Sequence, residues 1–300
     1  MKRPTRSSAH LATSAAVGAA VLWGCGNTAV KLVPLPGPSI AFDRLWLGAV
    51  MFSALVIGRG GRITLRSLRV AVPGAIALSA DLILFFSAIQ HTTVADASVI
   101  TALQPALVAL IARRWFDEQA SAATFAWIAI AIAGAAIAVA GSAPGTDRTV
   151  YGALLAVGAL LGWTWYFIAS KQARQHLTAL DYQTALTIDA AAIVTPFVLL
   201  TTRSRLLPTD WQTLAWILVV IMLSTVAQLA MNWAHKFAPL ILTSTVTLGI
   251  PIAAIATAAT VLGERVTLIQ TCGLGICLAA LCSIIRRPPT ERLATERAIA

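Results

Sequence analysis

Residues 104–118 read Gln-Pro-Ala-Leu-Val-Ala-Leu-Ile-Ala-Arg-Arg-Trp-Phe-Asp-Glu, and residues 250–264 read Ile-Pro-Ile-Ala-Ala-Ile-Ala-Thr-Ala-Ala-Thr-Val-Leu-Gly-Glu. Each stretch opens on a proline (Pro105, Pro251) inside an apolar run and closes on a glutamate thirteen residues later (Glu118, Glu264). A second match lies upstream of each: Gly18, Trp23 and Lys31 have the same spacing as Gly158, Trp163 and Lys171. Matches of this kind, in the same order in both parts of a chain, are the signature of an internal repeat. The Ser142-Ala-Pro-Gly145 break divides the chain near its middle, giving repeats over 1–145 and 146–287 and a tail over 288–300.

The repeat lies in a chain of 300 residues, 58% hydrophobic and only 11% charged. A soluble domain is about half apolar and about a quarter charged, and its core could not hide this much apolar surface. The composition therefore predicts an integral membrane protein and excludes disordered, collagen-like, coiled-coil and disulfide-scaffold chains. Cys25, Cys272, Cys277 and Cys282 all sit in apolar runs, with no metal-ligand or disulfide spacing.

A spanning helix needs about 20 apolar residues. Ten runs qualify: 11–30, 39–58, 70–89, 94–112, 122–140, 150–170, 182–201, 212–234, 241–261 and 268–285. They are separated by helix-breaking prolines and glycines such as Pro34, Pro36, Pro38, Gly60 and Pro208. Lys2, Arg3 and Arg6 before the first run resemble the start of a signal peptide, but the apolar stretch is too long, so it reads as an uncleaved first helix. Five spans per repeat is an odd number, so the second repeat must enter the membrane the opposite way round. The expected fold is thus all-α integral membrane, with ten transmembrane helices as two inverted five-helix repeats around a central cavity, the architecture of alternating-access carriers.

The net charge is +10, with 22 lysines and arginines. With a cytoplasmic N-terminus, sixteen of them fall in inside segments and five outside, and Arg44 lies in a span. The positive-inside rule then places both ends in the cytoplasm. The basic balance is explained by orientation in a lipid bilayer, without a nucleic-acid partner.

The ten spans, Trp23-Gly24 with Lys31, and the two prolines each thirteen residues before a glutamate resemble the drug/metabolite transporter superfamily, EamA type. The resemblance covers nearly the whole chain. It implies a basket-like pair of bundles around a substrate cavity and export of small metabolites from the bacterial cytoplasm. Within the family, the length and cytoplasmic ends are similar to bacterial exporters of aromatic amino acids. An arginine early in the second helix fits the family pattern as Arg44, whereas the acidic Asp43 before it departs from that pattern.

Ionisable residues at membrane depth are candidates for function: Asp43 and Arg44 in the second span, Asp81 in the third, Asp96 at the start of the fourth and Asp189 in the seventh. Asp81 either pairs with Arg44 and fixes two helices, or meets a substrate ammonium. Trp23, Asn27 and Lys31 share one helix face at spacing four, and Trp163, Phe167 and Lys171 repeat it beside Tyr166 and Ser170. Ser98, Thr101 and Gln104 precede Pro105. Gln228 and Asn232 lie one turn apart, and Thr243, Ser244, Thr245 and Thr247 precede Pro251.

Amides at depth need partners, and rings with amides suit a zwitterionic amino acid. The expected substrate-binding residues are accordingly Asn27, Asp81, Gln104, Trp163, Tyr166, Gln228 and Asn232. Pro105 and Pro251, with Arg44 and Asp43, are the expected hinge and structural residues. Lys31 and Lys171, at helix ends, are expected to snorkel. Trp46, Trp115 and Trp211 read as interface anchors, and Gly134, Gly273 and Gly275 as sites of close helix packing.

The expected partners are a small-molecule substrate (an amino acid) and the bilayer, with no cofactor or metal. Two complete repeats in one chain predict a functional monomer. The rival class is a membrane enzyme: His91 and Asp96 fit the His-x4-Asp pattern of some acyltransferases, but no second motif supports it. Gly58-Arg-Gly-Gly-Arg62 lacks the Lys-Ser/Thr of a P-loop, so no nucleotide-hydrolysing motif is present. Within transport, drugs and other metabolites remain alternative cargoes.

Overall fold

The computed structural model describes residues 6–30, 32–91, 100–116, 118–140, 150–201, 210–261, 263, 266–286 and 290–291. Helices α1 (Arg6–Val30), α2 (Gly37–Gly58), α3 (Leu65–His91), α4 (Gln104–Trp115) and α5 (Ala122–Ala140) lie before the central break. Helices α6 (Val150–Ala173), α7 (Ala179–Thr201), α8 (Trp211–Ala234), α9 (Leu240–Val246), α10 (Gly249–Val261) and α11 (Leu268–Arg286) follow it. Among the described residues, eight segments are long and apolar enough to cross a membrane, with Leu240–Val261 (α9 and α10) counted as one, and Ala122–Ala138 is a shorter apolar helix. The predicted fourth span falls partly outside the described residues, and its visible helix is α4.

Local chemistry sets the ends. Pro36 caps α2, with Pro38 just inside its first turn, and Gly60 takes the left-handed conformation (φ 73°) after its end. Asp210 caps α8: its carboxylate accepts from the Thr213 backbone N–H at 2.8 Å and from the Thr213 hydroxyl at 2.6 Å. That hydrogen bonding holds its carboxyl below the usual range.

Both signature prolines break their helices, and the break comes upstream of each. A proline ring clashes with the carbonyl four residues back and has no N–H to donate to it. For Pro105 that residue is Thr101, and for Pro251 it is Thr247. Regular helix ends at Thr101 and resumes at Gln104; α9 ends at Val246 and α10 begins at Gly249. The single run expected over 241–261 is therefore two helices.

The main helix pairs are α3 on α6 and α7, α5 on α11, α1 on α8 and α10, and α2 on α7. Each of these joins a helix before the central break to one after it. The first helix of either part packs on the third helix of the other (α1 on α8, α6 on α3), and the last helices of the two parts (α5 and α11) pack together. The core follows these seams: Ala12, Ala16 and Ala19 of α1, Ala71, Ala75 and Leu78 of α3, and Tyr166, Phe167 and Tyr182 are all buried. The outer faces carry exposed apolar side chains such as Val50, Leu110, Leu154, Leu161 and Leu200, as a lipid-facing surface requires.

Two of the three glycines expected at close packing sites are there. A Cβ on Gly273 would lie 2.3 Å from the Ala138 backbone nitrogen, and one on Gly134 2.7 Å from that of Cys277, so α5 and α11 touch backbone to backbone. Gly275 is a correction, since it faces open space. Outside the helices, Glu118–Gln119 pair antiparallel with Thr290–Glu291, in register Glu118 with Glu291. This two-residue contact aside, the described fold is all-helical, as expected.

Candidate functional site: a charged and aromatic cavity between the broken helices

The cavity lies where α1, α2, α3, α6 and the two helix breaks meet. Its lining comprises Trp23 and Asn27 of α1, Arg44 of α2, Leu78, Asp81, Leu82 and Phe85 of α3, and Trp163 of α6. Thr101 and Ala102 come from the first break, and Thr247, Leu248, Ile250 and Pro251 from the second. Its volume is about 160 Å³, close to the roughly 150 Å³ that holds a benzene in an engineered cavity.

Trp23 and Trp163, matched in the sequence repeat, meet edge to face with centroids 5.3 Å apart. Trp163 also stacks on Tyr166 at 5.2 Å and meets Phe167 at 4.9 Å. Close backbone approaches set these positions. Gly24, next to Trp23, lies against α10, where a Cβ would be 2.6 Å from the Ile250 carbonyl oxygen. Gly162, next to Trp163, lies against α3, where a Cβ would be 2.9 Å from the Asp81 nitrogen.

Of the expected binding residues, Asn27, Asp81 and Trp163 line the cavity, and so does Arg44, which the sequence placed among structural residues. Gln104 is wholly buried between the two breaks. Its amide oxygen accepts from the Thr247 hydroxyl at 3.1 Å, and its amide nitrogen has no partner among the described residues.

Tyr166, Gln228 and Asn232 do not line the cavity. They form a buried polar chain behind it. Gln228 Oε1 accepts from Arg44 Nη2 at 3.5 Å and from Gln183 Nε2 at 3.2 Å. Gln183 Oε1 accepts from Asn232 Nδ2 at 2.6 Å, and Asn232 Oδ1 accepts from the Tyr166 hydroxyl at 3.0 Å. Gln183 is the member that sequence reading missed. It is an amide one turn into α7, on the same pattern as Gln228 and Asn232, but it sits near a predicted helix start where interface residues are common. Asp43 and Asp189 each keep a buried carboxylate oxygen with no partner among the described residues, and neither lines the cavity. Asp96, Ser98, Lys31 and Glu264 lie outside the described residues.

At one end of the bundle, Glu118 is wholly buried. Its carboxylate accepts from Lys171 Nζ at 2.6 Å and from the backbone N–H groups of Leu240 (2.5 Å) and Ile241 (2.8 Å), the first residues of α9. Lys171 also donates to the Ala238 carbonyl at 3.2 Å and lies 5.4 Å from the Phe116 ring centroid. Lys171 is thus a buried ion-pair partner, correcting the expectation that it snorkels. A ready acceptor outweighs reaching for water when the helix end is covered.

His235, in the turn between α8 and α9, is buried against Phe167 with centroids 4.8 Å apart, and neither ring nitrogen has a partner among the described residues. Burial, aided by the Lys171 and Arg174 cations, holds its pKa down to about 3. A histidine whose folded pKa is depressed stabilises fully above its unfolded value near 6.5, and that contribution is lost as pH falls toward 3. His235→Phe is therefore expected to flatten the acid limb of the thermal-midpoint profile between pH 6.5 and 3. Unfolding scans of both proteins across that range check it.

The model of the EamA-like transporter family matches residues 10–140 and matches again over 150–286. The chain belongs to the EamA-like transporter family. This EamA-like protein is accordingly a multi-pass membrane protein of a transporter family, one that is typically non-enzymatic. Its fold is shared with solved structures. One, described only as the crystal structure of a protein, is 20% identical with a TM-score of 0.80, covering 94% of this chain and 99% of its own. At that identity the likeness shows the fold alone. No curated protein matches the sequence.

Proposed function

We propose that this protein exports small metabolites, amino acids foremost, across the bacterial inner membrane by alternating access. It does so as ten spans in two inverted repeats with both termini in the cytoplasm. One observation carries the reading: the cavity sits where the two proline-broken segments meet, with a tryptophan from the first helix of each repeat at its wall. Broken helices at membrane depth, at matching places in two repeats, are where carriers of this architecture bind substrate. Frayed backbone there is tolerated only where it lines a cavity or is buried in protein.

The exchange of partners between repeats (α1 on α8, α6 on α3) supports a pseudo-two-fold relation between them. It also changes the moving parts. The repeats interlock, so they cannot rock as separate blocks without opening their main seams. Two mixed bundles can: α2, α3, α6 and α7 on one side, α1, α8, α9 and α10 on the other, meeting at the cavity. The two breaks, joined by the Thr247–Gln104 hydrogen bond, lie at that meeting.

The amino-acid reading rests on a cavity the size of one ring, on Trp23 and Trp163, and on the resemblance to the bacterial aromatic amino-acid exporter YddG. The drug-exporter reading ranks second, because paired tryptophan rings beside one cationic and one anionic side chain suit a small zwitterion. The test is counterflow: proteoliposomes preloaded with unlabelled phenylalanine take up labelled phenylalanine, threonine or lysine without an ion gradient. Saturable uptake competed by other amino acids supports the reading. Absence of uptake, with and without an imposed pH gradient, refutes it.

A further inference from the structure

Among the described residues, Arg44 and Asp81 are the charged side chains of the cavity wall. They come from neighbouring helices and attract one another across the cavity, yet they form no direct ion pair. Among the described residues, the one direct ion pair is Lys171 with Glu118. Arg44 reaches Gln228 through a long 3.5 Å contact, and no described hydrogen bond involves the Asp81 carboxylate. Asp81 is 9% exposed, and that residual surface belongs to the cavity.

Two opposite charges at membrane depth that feel one another but stop short of a direct ion pair are expensive unless something completes them. If the pair existed to fix α2 against α3, the side chains would have closed on one another. Both instead hold their charged ends on a shared space. The neutral amide chain behind Arg44 (Gln228, Gln183, Asn232) supplies hydrogen-bonding oxygen without neutralising it.

The cavity's formal charges cancel, so a ligand with a single charge would leave one wall charge unanswered. We infer that Arg44 and Asp81 are the two poles of a zwitterion site, Arg44 receiving a carboxylate and Asp81 an ammonium. Trp23 and Trp163 hold the apolar remainder. Asn27, on the facing bundle, completes the polar rim and couples occupancy to the position of α1. The ligand class is a free α-amino acid with an apolar or aromatic side chain, rather than an amine, a carboxylic acid or a phosphate. A guanidinium presents a planar fork to a carboxylate, and an ammonium among tryptophan faces gains from their π density as well as from the acid. The inference rests on the small-metabolite reading above and narrows it.

The test uses purified full-length protein in detergent. Tryptophan fluorescence is titrated with L-phenylalanine, with phenethylamine (no carboxylate) and with 3-phenylpropionate (no ammonium). Each one-pole analogue is expected to bind about 10- to 100-fold more weakly than phenylalanine, the range for losing a hydrogen-bonded charge. In Asp81→Asn, phenylalanine and 3-phenylpropionate should bind alike while phenethylamine stays disfavoured. In Arg44→Gln, phenylalanine and phenethylamine should bind alike. Asp81→Glu and Arg44→Lys keep the charge and should keep most of the discrimination, which separates a lost pole from a misfolded protein.

Wild-type protein that binds a one-pole analogue as tightly as phenylalanine overturns the assignment. Variants that weaken all three ligands equally also overturn it. Wild-type protein that binds none of the three refutes both this inference and the amino-acid reading. Two-pole binding without counterflow supports the site and refutes only the carrier function.

Discussion

Glu118→Ala is expected to lower the stability of the folded protein by about 3–5 kcal/mol, the cost of leaving a buried charge unpaired. Glu118 is wholly buried and answers three donors at once, the Lys171 ammonium and the first two N–H groups of α9. Truncating it strands the cation and reopens the helix end, whose first N–H groups have no partner within the helix. The double substitution Glu118→Leu with Lys171→Met should recover much of the loss, because removing both charges removes the desolvation penalty along with the attraction. Its remaining deficit measures the cap. Thermal unfolding of the wild type and the two variants in detergent separates these contributions, and an unchanged midpoint in the single variant would show that the carboxylate is dispensable.

Glu118 follows α4, Lys171 ends α6, and Leu240 starts α9, so the same three-way contact joins the two mixed bundles at one end of the protein. An alternating-access cycle has to release contacts of this kind at one end while forming them at the other. Glu118→Ala should therefore alter transport as well as stability.

Gly24→Val is the second substitution with a large expected effect. A Cβ at position 24 would lie 2.5 Å from Ala253 Cβ, 2.6 Å from the Ile250 carbonyl oxygen and 2.8 Å from the Ala254 nitrogen. Two of these are backbone atoms, which cannot rotate aside. The same seam holds the Thr28 hydroxyl bond to the Ala254 carbonyl at 3.0 Å and the contact of Cys25 with Thr257 at 3.3 Å. Forcing a side chain in should cost about 1–3 kcal/mol and push α1 away from α10. Trp23 and Asn27 flank the glycine, and Pro251 opens the facing helix, so the displacement falls on the cavity wall. Counterflow should drop by an order of magnitude or more, whereas Gly18→Ala, which meets nothing within 4 Å, should leave it near wild type.

Much of this arrangement was legible in the sequence because it depends on period and punctuation. Apolar runs bounded by prolines and glycines placed nine of the ten predicted spans within a few residues of a described helix. The matched Trp23 and Trp163 marked two residues that meet in the cavity. Pro105 and Pro251 marked the breaks, although the helices open three to four residues earlier, at Thr101 and Thr247, where the proline's missing hydrogen bond falls.

The rest depended on tertiary contacts that no spacing encodes. Lys171 looked like a helix-end lysine free to reach water, but the carboxylate it meets lies fifty-three residues away. Gln228 and Asn232 were recognised as amides in need of partners, yet those partners proved to be Gln183, Arg44 and Tyr166, behind the cavity wall. The repeats were legible as sequence units, whereas their interlocking was not, because helix pairing is settled by faces that are apolar on every side.

The central claim is one site reached in turn from both sides of the membrane. Leu82, on the cavity wall beside Asp81, reports on it directly. A single Leu82→Cys is placed in a chain whose four native cysteines (Cys25, Cys272, Cys277 and Cys282) have been replaced by serine or alanine. It is then treated with a membrane-impermeant thiol reagent, from outside in intact cells and from the cytoplasmic side in inverted vesicles. The account predicts modification from both sides, slowed in each case by phenylalanine. Modification from one side only, unaffected by phenylalanine, would contradict it.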